Sequence, residues 1–253
     1  MEKDPPGFSY FCLAWNMLPS SVIQTDILAA QCQLLASAYL CYIFRPMEAW
    51  NLMSNASMKV QLLLSSQAEQ PPALKELITR VYWNCFLFES ELMSKLRLPQ
   101  SGIQDHEYAV ALPTSFKDES HESIGPDELS YFLAEVSLRQ LFNRVSHVLS
   151  THTSSPPGVT TLEPLVSDLD LQLSRWYDSL PEIVQFSISR IPTHSPMQTA
   201  LRLRYFACRS LIYQSFILAV LADEAAALNP IVIEHCKKCL EACIRQIEHV
   251  TGP

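Results

Sequence analysis

Prolines divide this chain into segments within which apolar residues recur at steps of three and four, the spacing of one helix face. Between Ser21 and Phe44 the recurring positions are Ile23, Ile27, Ala30, Leu34, Ala38 and Tyr42, with further apolar residues on their flanks. A helix apolar nearly all round is expected to be buried on several sides. Ahead of it, SYFCLAWNML forms a helix expected to break at Pro19. Arg45-Pro46 opens the next one, since proline suits a first helical position where its missing N–H would be unpaired anyway. Ala49, Met53, Ala56, Val60 and Leu63 share a face there, and the two helices make a hairpin that Pro71-Pro72 closes.

Five more stretches follow the same rule. Leu74, Leu77, Val81, Cys85, Phe88, Leu92 and Leu96 predict a helix of about 25 residues, roughly 37 Å long, stopped by Pro99. The chain then runs irregular or extended through QSGIQDHEYAVALP, with Gly102 free to take a positive φ. Residues 113–126 are polar and acidic and predict an exposed loop. Tyr131, Ala134, Leu138, Leu141, Val145 and Val148 mark the next helix, followed by a Ser/Thr/Pro-rich loop at 150–161. Leu162, Val166, Leu169, Leu173, Trp176 and Leu180 mark another, ended by Pro181. Leu201, Tyr205, Cys208, Ile212 and Phe216 mark a helix reaching Asn229-Pro230, and Cys236, Cys239, Cys243, Ile247 and Val250 mark the last. No fixed repeat period appears.

The five glycines lie far apart and no Asn-Gly or Asp-Gly dipeptide is present, which argues against hairpins and against a phosphate-cradling loop. The expected fold is therefore all-α: residues 1–253 as a single irregular multi-helix domain of antiparallel helix pairs, about seven to nine helices.

Acids outnumber bases, 26 to 18, for a formal charge of −8, so direct DNA binding is not expected. Uninterrupted apolar runs such as those within LLASAYLCYIF fall short of the ~18 residues that cross a bilayer, and no membrane partner is expected. The N-terminal MEKDPPGF is not an apolar signal, so Cys12, Cys32, Cys41, Cys85, Cys208, Cys236, Cys239 and Cys243 are expected as reduced thiols.

Candidate chemistry resolves into packing. Glu89 and Glu91 sit two apart on a helix and diverge by about 200°, too far to flank one bond as an acid/base pair. Asp168 and Asp170 fail in the same way. His235, Cys236, Cys239 and Cys243 include a Cys-x2-Cys half-site, but its second half is missing and the cysteines share an apolar stripe. His106, His121, His147, His152, His194 and His249 are scattered, with no metal or nucleophile-elbow motif. Arg202, Arg204 and Arg209 form a small basic cluster, expected on a solvated face or against the acidic loops. No catalytic, cofactor-binding or metal residue is assigned, and no enzyme activity or cofactor is expected.

The order of segments carries a resemblance. SYFCLAWNMLPSSVIQTDILAAQCQLLASAYLCYIFRPMEAWNLMSNASMKVQLLL resembles the middle homology region, or fungal-specific transcription factor domain, of the fungal zinc binuclear-cluster regulators. In that family an apolar helix, here from Gln31, leads through a turn to an Ala-Trp helix, here Ala49-Trp50. RVYWNCFLFESELMSKLRLPQSGIQDHEYAVALP looks like its Trp-containing helix and Leu-Pro-x-Ser-Gly-Ile turn, here Leu98-Pro99 and Ser101-Gly102-Ile103, closed by Leu112-Pro113. YFLAEVSLRQLFNRV, LDLQLSRWYDSLPEIVQF and LRLRYFACRSLIYQSFIL agree in order. The family's six-cysteine DNA-binding element, a basic import stretch and a dimerising heptad run are absent from these residues.

The resemblance implies a nuclear transcription regulator that works by contacting other protein segments, such as DNA-binding or activation regions and co-regulators, with a small-metabolite effector in some members. The alternatives are a stand-alone regulator that titrates a related factor and a helical metabolite-binding protein or enzyme. In the leading reading Trp83, Phe86 and Phe88 are packing residues, Glu89 and Glu91 cap or bridge helices, and LPQSGI is a structural turn. Family members usually continue through further helices, so the stripe ending in Ile247 and Val250 is expected to stay partly exposed and to drive homo-oligomerisation.

Overall fold

The computed structural model describes residues 4–66, 70–96, 98–114, 126–152, 159–189 and 195–250, and the chain forms two compact units, 1–114 and 115–253. The described residues hold eight α-helices and no strand. The acidic loop of 113–126 lies almost wholly outside them. Of the Ser/Thr/Pro-rich stretch, Ser150–His152 and Val159 onward are helical and 153–158 lie outside the described residues.

In the first unit α1 (Phe8–Ile23), α2 (Ile27–Tyr42), α3 (Pro46–Ser65) and α4 (Pro72–Lys95) succeed one another through short connections, which makes neighbours antiparallel. Helix α1 runs through Pro19 instead of breaking there. Pro19 is exposed, so the Trp15 carbonyl it deprives of an N–H donor is open to water. The break falls at 24–26, where the Asp26 carboxylate accepts the Ala29 N–H at 2.8 Å and starts α2. Pro46 and Pro72 both occupy first-turn positions, so the second proline of Pro71-Pro72 opens α4.

The face of α2 that is buried differs from the expected one. Ala29, Ala30, Gln33, Ala36, Ser37 and Leu40 are covered, while Leu28, Leu35 and Tyr42 are exposed. Helix α2 packs closely on α3, where Ala49, Met53, Ala56 and Val60 are buried, and its covered residues are mostly small while Leu28, Leu35 and Tyr42 turn outward. On α3 the predicted stripe holds.

The second unit comprises α5 (Pro126–His152), α6 (Val159–Asp178), α7 (Pro196–Ala222) and α8 (Pro230–Val250), with a 3-10 turn at Glu224–Leu228 where α7 was expected to continue. Helix α7 is central and packs on the other three. Its Leu201, Tyr205, Cys208, Ile212 and Phe216 are buried, as are Leu162, Val166, Leu169, Leu173 and Trp176 of α6, matching both predicted stripes. By length and composition α7 could cross a membrane, a match that single apolar runs did not signal. Its burial against three neighbours and its Arg202, Arg204 and Arg209 mark it as a core helix.

Helix α2 ends in a Schellman motif. Arg45 N–H bonds the Leu40 carbonyl at 2.8 Å, Phe44 N–H bonds that of Cys41 at 3.1 Å, and Phe44 sits at φ 59°. A left-handed non-glycine residue costs about 1–2 kcal/mol, and Phe44, 92% exposed, recovers little of that by packing. Phe44→Gly should therefore raise the urea midpoint, by roughly 0.5–1 kcal/mol in stability after the added entropy of an unfolded glycine.

Candidate functional site

The segment after α4 folds back along that helix, and a chain of side-chain bonds fixes it. Tyr82 Oη donates to the Ile103 carbonyl at 3.0 Å, Trp83 Nε1 to that of Ala111 at 2.8 Å, and Trp50 Nε1 to that of Pro99 at 3.3 Å. At the centre lies the Glu89 carboxylate, only 1% exposed. It accepts the Ser101 N–H at 3.0 Å, the Ser101 hydroxyl, and the Ser57 hydroxyl of α3 at 3.3 Å. Gly102 follows at φ 87° and starts a 3-10 turn over Ile103–His106. Glu76 repeats the device nearer the start of α4: its carboxylate takes Arg80 Nε at 2.8 Å and Thr114 N–H at 2.9 Å, while Arg80 donates to the Thr114 carbonyl.

This folding-back leaves an open cleft of about 600 Å³ between the end of α3, the first turns of α4 and residues 106–111. Leu64, Pro72 and Val110 make its apolar wall, and Gln61, Lys75, Thr79 and His106 bring polar groups to it. The Glu76 carboxylate at its edge is already held by Arg80 and Thr114.

The sequence candidates are dispersed among packing roles. Glu91 forms an ion pair with Lys95 at 2.6 Å along its own helix, and Glu89 bridges α4, α3 and the following turn. Trp83 and Phe86 are buried in edge-to-face contact at 5.3 Å, and Phe88 is half-buried. Asp168 accepts from Gln172 at 2.7 Å, and Asp170 faces Arg209 at 3.8 Å. His147 is exposed on α5, and His121 and His194 lie outside the described residues.

His235 is buried between the rings of Tyr213 and Phe216, 5.2 and 4.4 Å away, with Nε2 on the Glu163 carboxylate. Cys239 donates to the Ser210 carbonyl at 3.4 Å, and burial with neighbouring Cys243 pushes its thiol up to about 11. Burial likewise pushes the Cys208 thiol up to about 12, and Cys85 is raised by burial and by the charge of Glu89. Such thiols are poor nucleophiles and poor metal ligands at neutral pH. Among the described residues no three His, Cys, Asp or Glu side chains gather closely enough to hold a metal ion.

The arginine cluster also differs from expectation. Arg202 is fully buried and donates to the Ser189 carbonyl, and Arg204 pairs with Glu135 of α5 at 2.8 Å, so helices and the 182–189 segment absorb these charges. The buried roles of Arg202 and His235 were missed because nothing in their neighbours' spacing distinguishes a covered charge from a solvated one.

The model of the fungal specific transcription factor domain matches residues 4–178, more than two thirds of the chain, and the chain belongs to that family. Over 99% of its length it is 24% identical to a protein of Aspergillus rugulosus named "Putative transcription factor ecdB", and it spans 48% of that relative. No solved structure matches the chain significantly.

Removing the Glu89 carboxylate leaves three donors without their acceptor, two of them on the family's Ser-Gly-Ile turn. Glu89→Ala should destabilise the fold by about 2–4 kcal/mol, whereas Glu91→Ala, at a half-exposed position paired with Lys95 along the helix, should cost no more than about 1 kcal/mol. Paired denaturation curves check the contrast.

Proposed function

We propose that residues 1–253 act as one regulatory domain of a fungal transcription regulator, in the nucleus, through contacts to other protein segments. The observation that carries this is the family match, whose bounds, 4 and 178, lie on either side of the boundary between the two compact units. The natural partners are DNA-binding and activation regions or co-regulators. The charge of −8 and the pairing of Arg45, Lys95, Arg204, Arg209 and Arg245 with carboxylates support a chain that does not itself bind duplex DNA. The engagement of Glu89, Asp170 and His235 in packing supports a non-catalytic role. A small metabolite with a polar head and an apolar body fits the chemistry of the cleft lined by Lys75, His106, Leu64 and Val110, and it is the site we assign to an effector.

A reporter tests the reading. Placed between a heterologous DNA-binding domain and an activation domain in a fungal nucleus, the chain should change transcription several-fold, and Glu89→Ala should erase that change. A chain that alters the reporter only when untethered would favour the titrating regulator instead. Unchanged transcription in both formats would overturn the proposal, as would tight, salt-sensitive duplex binding by the isolated chain.

A further inference from the structure

Helices α1 and α2 contain no charged residue in either of their sixteen positions, yet much of their large apolar surface is uncovered. Tyr10, Leu13 and Met17 on α1 and Leu28, Leu35 and Tyr42 on α2 all stand out, with Met17 74% and Leu35 71% exposed. Between the helices runs a groove of about 330 Å³ lined by Phe11, Ala14, Met17, Cys32, Leu35 and Ala36. The polar groups at the hairpin's connection are spent within the unit. Asp26 caps α2, and Lys59 of α3 donates to the Val22 and Gln24 carbonyls at 2.7 and 2.6 Å.

We propose that this face is a homodimer interface, occupied by the same face of a second copy in a four-helix arrangement about a two-fold axis. Two observations select a second copy over another occupant. The six exposed side chains offer on the order of 800 Å² of surface, the share one partner brings to a stable interface. In an isologous contact residues near the axis meet their own equivalents, so a charge there would face its like, whereas a distinct partner commonly draws on complementary charge for orientation. A face without charges suits the first case, and its groove beside projecting Met17 and Leu35 supplies both hole and knob.

The exposed residues of α8 make the contrast. Ile233, Leu240, Ile244 and Ile247 share one side of that helix, but Lys237 falls among them and Glu234, Glu241 and Arg245 run along the edge, so a self-matching contact there would bring like charges together.

Sedimentation of the unmodified chain should show a reversible dimer with a dissociation constant in the micromolar range. Met17→Glu with Leu35→Glu should weaken it at least tenfold while far-UV circular dichroism stays unchanged, and Ile247→Asp should leave it alone. A measurement free of substitutions accompanies these: alkylation of Cys32, which lines the groove, should slow as protein concentration rises through the dissociation constant. A monomer at all concentrations with constant Cys32 reactivity would overturn the proposal. So would a dimer lost with Ile247→Asp and kept in the α1–α2 variant, or a monomer that binds neutral lipid vesicles through this face. None of these outcomes depends on the reporter.

Discussion

A carboxylate withdrawn from water loses several kcal/mol unless donors replace its hydration, and Glu89 is withdrawn almost completely. Its three donors come from α3 and from the turn after α4, so satisfying one charge ties three segments together. Both Ser101 donors reach it from just ahead of a glycine in the left-handed region. With that turn fixed, Tyr82 and Trp83 find their carbonyls at Ile103 and Ala111, and the cleft beside Lys75 and His106 takes its walls from the same chain. The feature that most invites a catalytic reading is thus the one that builds the scaffold.

The second unit meets the same constraint with other groups. Arg202, Arg204 and Arg209 leave the central helix α7 toward a backbone carbonyl, Glu135 and Asp170, and His235 closes α8 onto Glu163 between two aromatic rings. Charged groups spent inside a unit are lost to external ligands. The exposed surfaces differ in kind: α8 mixes apolar and charged residues, while α1 and α2 present no charged side chain.

Helix positions follow from local chemistry. Prolines at first-turn positions, an aspartate cap and three-to-four spacing act within a few residues, so the number and order of helices, and the stripes of α3, α6 and α7, were accessible from the chain itself. The Ser-Gly-Ile turn belongs with these, because only its glycine can adopt the required φ without strain. Pro19 was misjudged because a proline's effect depends on whether the carbonyl it orphans can reach water, and that depends on which side of α1 faces out.

Which face of an apolar helix is buried is a property of its neighbours, not of its own periodicity. Along α2 almost every position is apolar or small, so spacing could not choose between Leu28, Leu35 and Tyr42 and the Ala29, Ala36 and Leu40 face. The choice came from α3, whose Ala49 and Ala56 allow a close approach that only small side chains on α2 can match. The same holds for Arg202 and His235, whose burial is tolerable only because Ser189 and Glu163, 13 and 72 residues away in sequence, arrive beside them. The sequence by itself determined an all-helical chain and the order of its helices; tertiary structure decided which charges are enclosed and which apolar surfaces remain outside, because both depend on contacts between residues far apart in the chain.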